Sequence, residues 1–311
     1  MSYEPINILP YQPDLEPDIL EIEKKAVQGS WVKLEMVRDS YISRAKVFQC
    51  HGSFLGYNEN GQLVGAVIGA KVPMKINGKE FKAGFGLDLR VIPYWKNKGA
   101  GKQLTNFVMR NFFQQQNLTK NFITLKASNN PMMKIGVNML KKFTAVDFTY
   151  LVMPSYTRVK DPLNIDKPLS FSVELLDEYN RFPGFITAFR GGLCAWHTHM
   201  MYKIKIKNIH PIARFLTWVV SMLNKKKYPT RGEEIKTATI FNLNRENIVH
   251  INEVFEHMDK CDVKFVNVIC RRTDAIYTKL KPYSLFSYDH YMLADFAIEP
   301  SDQISIDVRC L

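Results

Sequence analysis

One stretch, Leu87 to Leu104, constrains this 311-residue chain more than any other. It reads Leu-Asp-Leu-Arg-Val-Ile-Pro-Tyr-Trp-Lys-Asn-Lys-Gly-Ala-Gly-Lys-Gln-Leu. The alternating run halts at Pro93, which offers no N–H to a strand ladder. A loop with Gly99 and Gly101 follows, and then Leu104, Phe107, Val108 and Phe112 recur at helical spacing. Glycines let successive N–H groups turn toward one point, and a helix N-terminus adds a partial positive charge. The unit is an anion site suited to a pyrophosphate, with Lys96, Lys98 and Lys102 around it. It has neither the length of a Walker loop nor the G-x-G-x-x-G of dinucleotide folds, so the loop alone is a weak signal.

The surrounding pattern predicts the order β-αα-βββ-α-β-α-β, a mixed sheet with helices on both faces. Residues 5–10 read as a strand. Residues 16–27 and 30–47 read as helices, the first with Ile19, Leu20, Ile22 and Val27 as its apolar stripe. Asn60-Gly61 and Asn77-Gly78 mark hairpin turns joining strands at 52–57, 62–71, 71–76 and 80–91. Helix 100–113, strand 122–126, helix 131–143 and strand 147–153 complete the first half.

Composition excludes several classes. At 46% apolar and 23% charged residues, the chain is that of a globular protein, and no apolar run is long enough to span a membrane. The start lacks a secretory pattern, and five scattered cysteines exclude a disulfide scaffold or zinc ribbon, so a reducing cytoplasm is expected. Residues 1–160 carry 22 Lys and Arg against 12 Asp and Glu, and residues 161–311 carry 20 against 18. The positive excess lies in the first half and attracts a polyanion: a phosphate-bearing cofactor, a nucleotide-linked substrate, nucleic acid or an anionic membrane surface, among which charge alone does not choose.

The 87–104 stretch resembles motif A of the GNAT N-acetyltransferase superfamily, L-x-V-x-P-x-(Y/W)-(R/Q)-x-x-G-x-G/A, with Leu89, Val91, Pro93, Lys96, Gly99 and Gly101 at its positions. Lys96 replaces the usual Arg or Gln. Phe122–Met132 and Lys142–Phe148 resemble the family's following strand–helix–strand segment, without its late-helix tyrosine or its Gly-Phe pair. The resemblance spans about residues 5–155. It implies acetyl-CoA as co-substrate, lying where two neighbouring strands part. Leu89, Arg90 and Val91 would meet the pantetheine arm, and Lys96, Lys98, Gly99, Ala100, Gly101 and Lys102 the pyrophosphate, with Asn130 touching the cofactor or capping its helix. Asp88 is the candidate base and Tyr150 the candidate acid. Paired with Arg90 or Lys82, Asp88 would be structural.

The second half repeats the order without the glycines. Strand 169–175, a hairpin of 192–199 with 200–209, helix 211–224, strand 237–243, helix 245–259, strand 263–270, helix 274–281 and a strand pair near 283–297 are expected. Asn242–Asn247 stands where the first half has its glycine loop, and should not hold a pyrophosphate. The reading is an α/β chain with two domains: residues 1–160 a GNAT-like catalytic domain and 161–311 a degenerate copy, or an unrelated α+β domain, shaping the acceptor pocket. His197 and His199 should share one face of a strand about 7 Å apart. Two ligands fall short of a zinc set, and no metal is expected. Helix 211–224 with Lys225, Lys226 and Lys227 reads as a core or dimer element, or one lying in a membrane interface.

The expected function is acetyl transfer to an amine, on an amino sugar, a nucleotide sugar, a small amine or a peptide N-terminus. No nucleic-acid partner is expected, and a homodimer is possible. The alternatives are an inactive acyl-CoA-binding module and an acyl or aminoacyl transferase built from tandem domains.

Overall fold

The computed structural model describes residues 4–25, 29, 32–139, 143–160, 165–176, 183–224 and 229–311. The first half runs β1 (Asn7–Pro10), α1 (Glu16–Lys25), β2 (Val32–Val37), β3 (Cys50–Tyr57), β4 (Leu63–Ile76), β5 (Lys79–Val91), α2 (Ala100–Phe107), β6 (Asn121–Lys126), α3 (Asn130–Met139) and β7 (Thr144–Pro154). A π-helical segment, Val108–Phe113, continues α2. Then come β8 (Phe171–Glu174), β9 (Ile186–Ala188), β10 (Cys194–Trp196), β11 (Lys203–Ile209), α4 (Pro211–Asn224), β12 (Glu234–Ile235) and β13 (Thr237–Phe241). The chain closes with α5 (Ile251–Lys260), β14 (Phe265–Cys270), α6 (Ala275–Leu280), β15 (Phe286–Ala294) and β16 (Ile304–Asp307).

Two local expectations are corrected. Residues 30–47 do not form a helix. In the described part, Val32-Lys33-Leu34-Glu35-Met36-Val37 alternates apolar and charged residues, the period of a strand, and β2 pairs antiparallel with β11. Residues 192–209 do not form a hairpin. β10 pairs with β9 and β13 in the large sheet, whereas β11 pairs with β2 and β12 in a small one, with a turn at Thr198–Met200 between them. Helix α5 begins at Ile251 rather than 245, because the preceding residues are held in side-chain turns. Val27, Lys141 and Lys142 lie outside the described residues.

One mixed sheet crosses both halves, in the order β1-β3-β4-β5-β6-β15-β7-β14-β13-β10-β9. In each half a strand, a helix and a parallel strand follow one another: β5–α2–β6, then β13–α5–β14. In each, the next helix leads to a strand that does not rejoin its own half. β7 pairs with β14, β15 pairs with β6, and the two meet along nine register pairs from Phe286↔Val152 to Ala294↔Thr144. The halves therefore exchange one strand each. The expected strand pair near 283–297 is instead the single strand β15, whose partners come from the first half.

The exchange merges the interiors. A core cluster joins Phe85, Phe122 and Phe148 of the first half to Phe171, Phe241 and Ile269 of the second, with Phe148 stacked on Phe171 at 4.7 Å. Burying such rings stabilises each by about 1.5–3 kcal/mol, so neither half would keep this core alone. α2 packs close to β4 because Gly65 leaves room: a Cβ there would lie 2.5 Å from the Arg90 carbonyl oxygen and 2.9 Å from Leu104.

Candidate active site

The site starts where a ladder stops. β5 and β6 pair in parallel at Gly84↔Asn121, Phe85↔Phe122 and Gly86↔Ile123, yet β5 continues to Val91 and β6 to Lys126. At the point of parting, β5 bulges opposite β4 between Ala66↔Arg90 and Ile68↔Leu87, and Asp88 takes a left-handed conformation with φ of 51°. A bulge bends and twists its strand, and here it carries Leu89–Val91 away from β6.

Beyond β5 the loop turns through Asn97 (φ 69°) and Gly99 (φ 89°), two left-handed residues around Lys98. Gly99 is the N-cap of α2, and its carbonyl accepts from the Gln103 N–H at 3.0 Å. The first N–H groups of a helix have no acceptor within it, so the turn aims a set of donors outward. Ala100, fully buried with Val64 and Trp95, fixes the end of the helix. Gly101 is also buried; a Cβ on it would meet Ile135 at 3.0 Å and Leu89 and Val91 at 3.6 Å, so it serves helix-to-strand packing. Lys96 is exposed and Lys102 half-buried. The Lys98 ammonium folds back over the loop's own Tyr94, 3.8 Å from the ring centroid, and lies 3.1 Å from Glu4. Asn130 is the exposed first residue of α3, and the cap is its neighbour Asn129, whose Oδ1 accepts from the Met132 N–H at 3.3 Å.

The corresponding loop of the second half is sealed. Asn244 Oδ1 accepts from the N–H groups of Glu246 and Asn247, and Asn247 Oδ1 accepts from that of Asn244, all within 3.0 Å. Three of its amides are thus taken by its own side chains.

Asp88 is buried in a cluster of charges. Arg38 donates to it at 2.7 Å, Arg44 at 3.4 Å, and Arg90 lies 3.8 Å away. Glu23 binds Arg38 through both oxygens and accepts from Arg90 at 3.1 Å. The Tyr41 hydroxyl donates to the Asp88 carbonyl at 2.7 Å. Burial alone would raise the Asp88 pKa, but Arg38, then Arg44 and Arg90, override it and hold the carboxyl well below the usual range. Lys82 pairs with Glu80 instead. Arg44 also donates to the Leu311 carbonyl at 2.7 Å, and Thr124 of the parted stretch of β6 donates to the Cys310 carbonyl at 3.0 Å. Sequence reasoning missed Arg38, Arg44 and the 308–311 segment, because a cation in a loop carries no local signature of its partner.

Tyr150 is buried and stacks on Tyr288 at 4.8 Å, with the His290 ring 4.6 Å away. Burial, with Tyr288 and Tyr202 nearby, pushes its phenol well above the ordinary value, so it stays protonated. His290 lies opposite Lys126, the last residue of β6. Burial, then Lys126, pushes its imidazole down to about 3, and its buried Nδ1 makes no well-formed hydrogen bond among the described residues. The strand exchange sets this second-half histidine beside the last residue of the first half's β6.

His197 and His199 do not share a strand face, because β10 ends at Trp196. Their rings meet edge to face at 5.5 Å, His197 Nε2 bonding to Thr187 at 2.9 Å and His199 Nδ1 to the Thr237 carbonyl at 3.0 Å. The described residues hold no group of three potential metal ligands. Burial, then His199 and His257, pushes His197 down to about 4. Its unfolded value is near 6.5, so stability present above that pH should be lost as pH falls from about 6.5 toward 4. We expect His197→Gln to flatten part of this loss in melting curves across that range, with His290 supplying the remainder. An unchanged acid limb would show that His197 is not a buried neutral group.

Residues 17–135 match the model of the Acetyltransferase (GNAT) family. No curated protein matches the sequence. In fold the chain is similar to Saccharomyces cerevisiae N-myristoyltransferase with bound myristoyl-CoA, at a TM-score of 0.57 and 7% identity over 95% of this chain and 84% of that one. It is also similar to a GCN5-related glucosamine N-acetyltransferase region of a fungal multi-domain β-N-acetylglucosaminidase, at a TM-score of 0.55 and 11% identity over 94% of this chain and 38% of that one. At such identities the likeness is one of fold. It extends over both halves and accords with a tandem GNAT-like architecture.

Proposed function

We propose that this chain, whose residues 17–135 carry a GNAT domain, transfers an acetyl group from acetyl-CoA directly to an amine. The observation that carries the reading is the parting of β5 and β6 beside the outward-facing N-terminus of α2. Backbone groups of Leu89–Val91, beyond the end of the ladder with β6, would pair with the pantetheine arm, and Arg90 lies on the same stretch. The amides of Lys98–Lys102, with the charges of Lys96 and Lys102, suit the pyrophosphate. Attack by the amine on the thioester carbonyl then needs a proton acceptor for the ammonium and a donor for the departing thiolate.

Tyr150 is our candidate donor, since its phenol is protonated and lies beside His290, the residue opposite the last position of β6. For Asp88 we propose a positioning role in place of the base read from the sequence. A carboxylate committed to Arg38 and Arg44, with its pKa lowered, is a poor proton acceptor but a firm anchor. His290, whose imidazole is pushed down to about 3, is an equally poor acceptor, so the ammonium proton passes to water, which the neutral His290 ring would orient. His290→Asn should lower kcat by less than the roughly 10²-fold of a lost base, without removing a limb of the pH–rate profile and with acetyl-CoA affinity unchanged.

A second reading is transfer of a longer acyl chain, favoured by the fold shared with a myristoyl-CoA-bound enzyme. One experiment tests both. The purified chain is offered acetyl- to myristoyl-CoA with a panel of amines, and free CoA thiol is followed. Turnover fastest with acetyl-CoA supports the first reading, and fastest with a long acyl donor the second. Absence of acyl-CoA binding by calorimetry would overturn both.

A further inference from the structure

Helix α4 exposes Ile212, Phe215, Trp218 and Met222, each more than half accessible, at spacings of three, three and four. At 100° per residue these four fall within one third of the helix circumference. Phe215 and Trp218 face each other at 6.0 Å. A single exposed apolar side chain is ordinary; four in one stripe, two of them aromatic, form a patch that calls for a cover. The helix has 14 residues, about 21 Å, too short to cross a bilayer.

The surrounding charge says what the cover is. From Lys203 to Lys227 the sequence holds seven Lys and Arg and no acid, the last three lysines lying outside the described residues. β11, separated from α4 only by His210, alternates Lys203, Lys205 and Lys207 outward, all exposed, while Ile206 is buried. Lys33 lies on the same face of β2. Opposing them there are Glu35 and Glu234, each across from Lys205 in the register, and Lys207 lies 3.8 Å from Glu35. The face keeps a positive excess of two, on the strand that leads through His210 into the helix bearing the apolar stripe.

We propose that α4 and the outer face of β11 form a docking surface for an anionic lipid bilayer. α4 would lie in the interface with Phe215 and Trp218 among the acyl chains and the lysines at the headgroups. A second copy of the chain would cover the stripe equally well but would set the lysines against each other. β11 is paired to β2, which leads directly to Arg38 of the charge cluster, so the docking surface and the site share an element. The proposal does not depend on which acyl group is transferred.

The test is sedimentation of the full chain with phosphatidylcholine vesicles containing or lacking about one third phosphatidylserine, at low and high salt. Expected is binding to the anionic vesicles that weakens at least tenfold on removing the anionic lipid, on raising the salt or in Lys203→Glu/Lys205→Glu. The Phe215→Ser/Trp218→Ser variant should weaken it at least tenfold as well, with melting unchanged because both side chains are exposed. No binding to anionic vesicles, or binding insensitive to charge, would overturn the proposal. So would a wild-type dimer in light scattering that becomes monomeric in the Phe215→Ser/Trp218→Ser variant, which would make the stripe a contact between copies.

Discussion

Gly99→Val is expected to abolish acetyl-CoA binding while leaving the fold intact. Gly99 has φ of 89° and ψ of −3°, a conformation that a β-branched residue adopts only under strain. Relieving the strain rotates the peptide groups on either side of Gly99, and these are the groups the turn directs outward. A charge-assisted hydrogen bond contributes about 1.5–3 kcal/mol. Losing two of them corresponds to a weakening of about 10²–10⁴-fold, at 1.4 kcal/mol per tenfold. The helix itself should stay in place, since Ala100 and Leu104 are fully buried beneath it. Gly99→Asn is the matched control, because asparagine tolerates positive φ, and it should bind within about tenfold of the parent. Calorimetry on the two variants decides. Retained affinity in Gly99→Val would remove the loop from the cofactor site.

Local chemistry made this loop legible: a proline, two glycines and a helical stripe lie within one short stretch, and each acts on its neighbours. The hairpins at Asn60-Gly61 and Asn77-Gly78 were legible for the same reason. What the pattern hides is pairing between distant segments. Val32–Val37 alternates as a strand should, but its partner is β11, and nothing between them in sequence signals it. The order of elements in the second half showed that it echoes the first. It held no trace of the exchange that seats β15 between β6 and β7, because the alternation of Phe286–Ala294 specifies a strand and not its neighbours. Asp88 could be picked out by its place at the end of the motif strand, whereas Arg38 and Arg44 become its partners only in three dimensions. His290 reaches the end of β6 through the exchanged strand and had no sequence signal at all.

The charge cluster leads to the second large effect, in Asp88→Asn. Asparagine keeps the size of the side chain and tolerates the left-handed backbone at φ of 51°, so the change isolates the charge. Among the described residues it leaves Arg38 and Arg90 with Glu23 as their carboxylate partner and Arg44 with the Leu311 carbonyl. Removing one partner from a buried ion pair costs about 3–5 kcal/mol. In a chain of this length each kcal/mol lowers the melting temperature by about 2 °C, so a fall of about 6–10 °C is expected. The pH dependence identifies the cause. The folded Asp88 carboxyl titrates well below the ordinary value, so its stabilisation is complete above about pH 5 and is lost as pH falls through the acid range. The gap between parent and variant should therefore hold steady from pH 5 to 8 and close in acid. The rate should fall too, because Arg44 also holds the Leu311 carbonyl, next to Cys310, whose carbonyl accepts from Thr124 on the parted stretch of β6. An anchoring carboxylate lowers the rate without altering the shape of the pH–rate profile, whereas a base takes a limb of that profile with it. A variant that melts like the parent but loses about 10²–10⁴-fold in rate, together with that limb, would return Asp88 to the role of base.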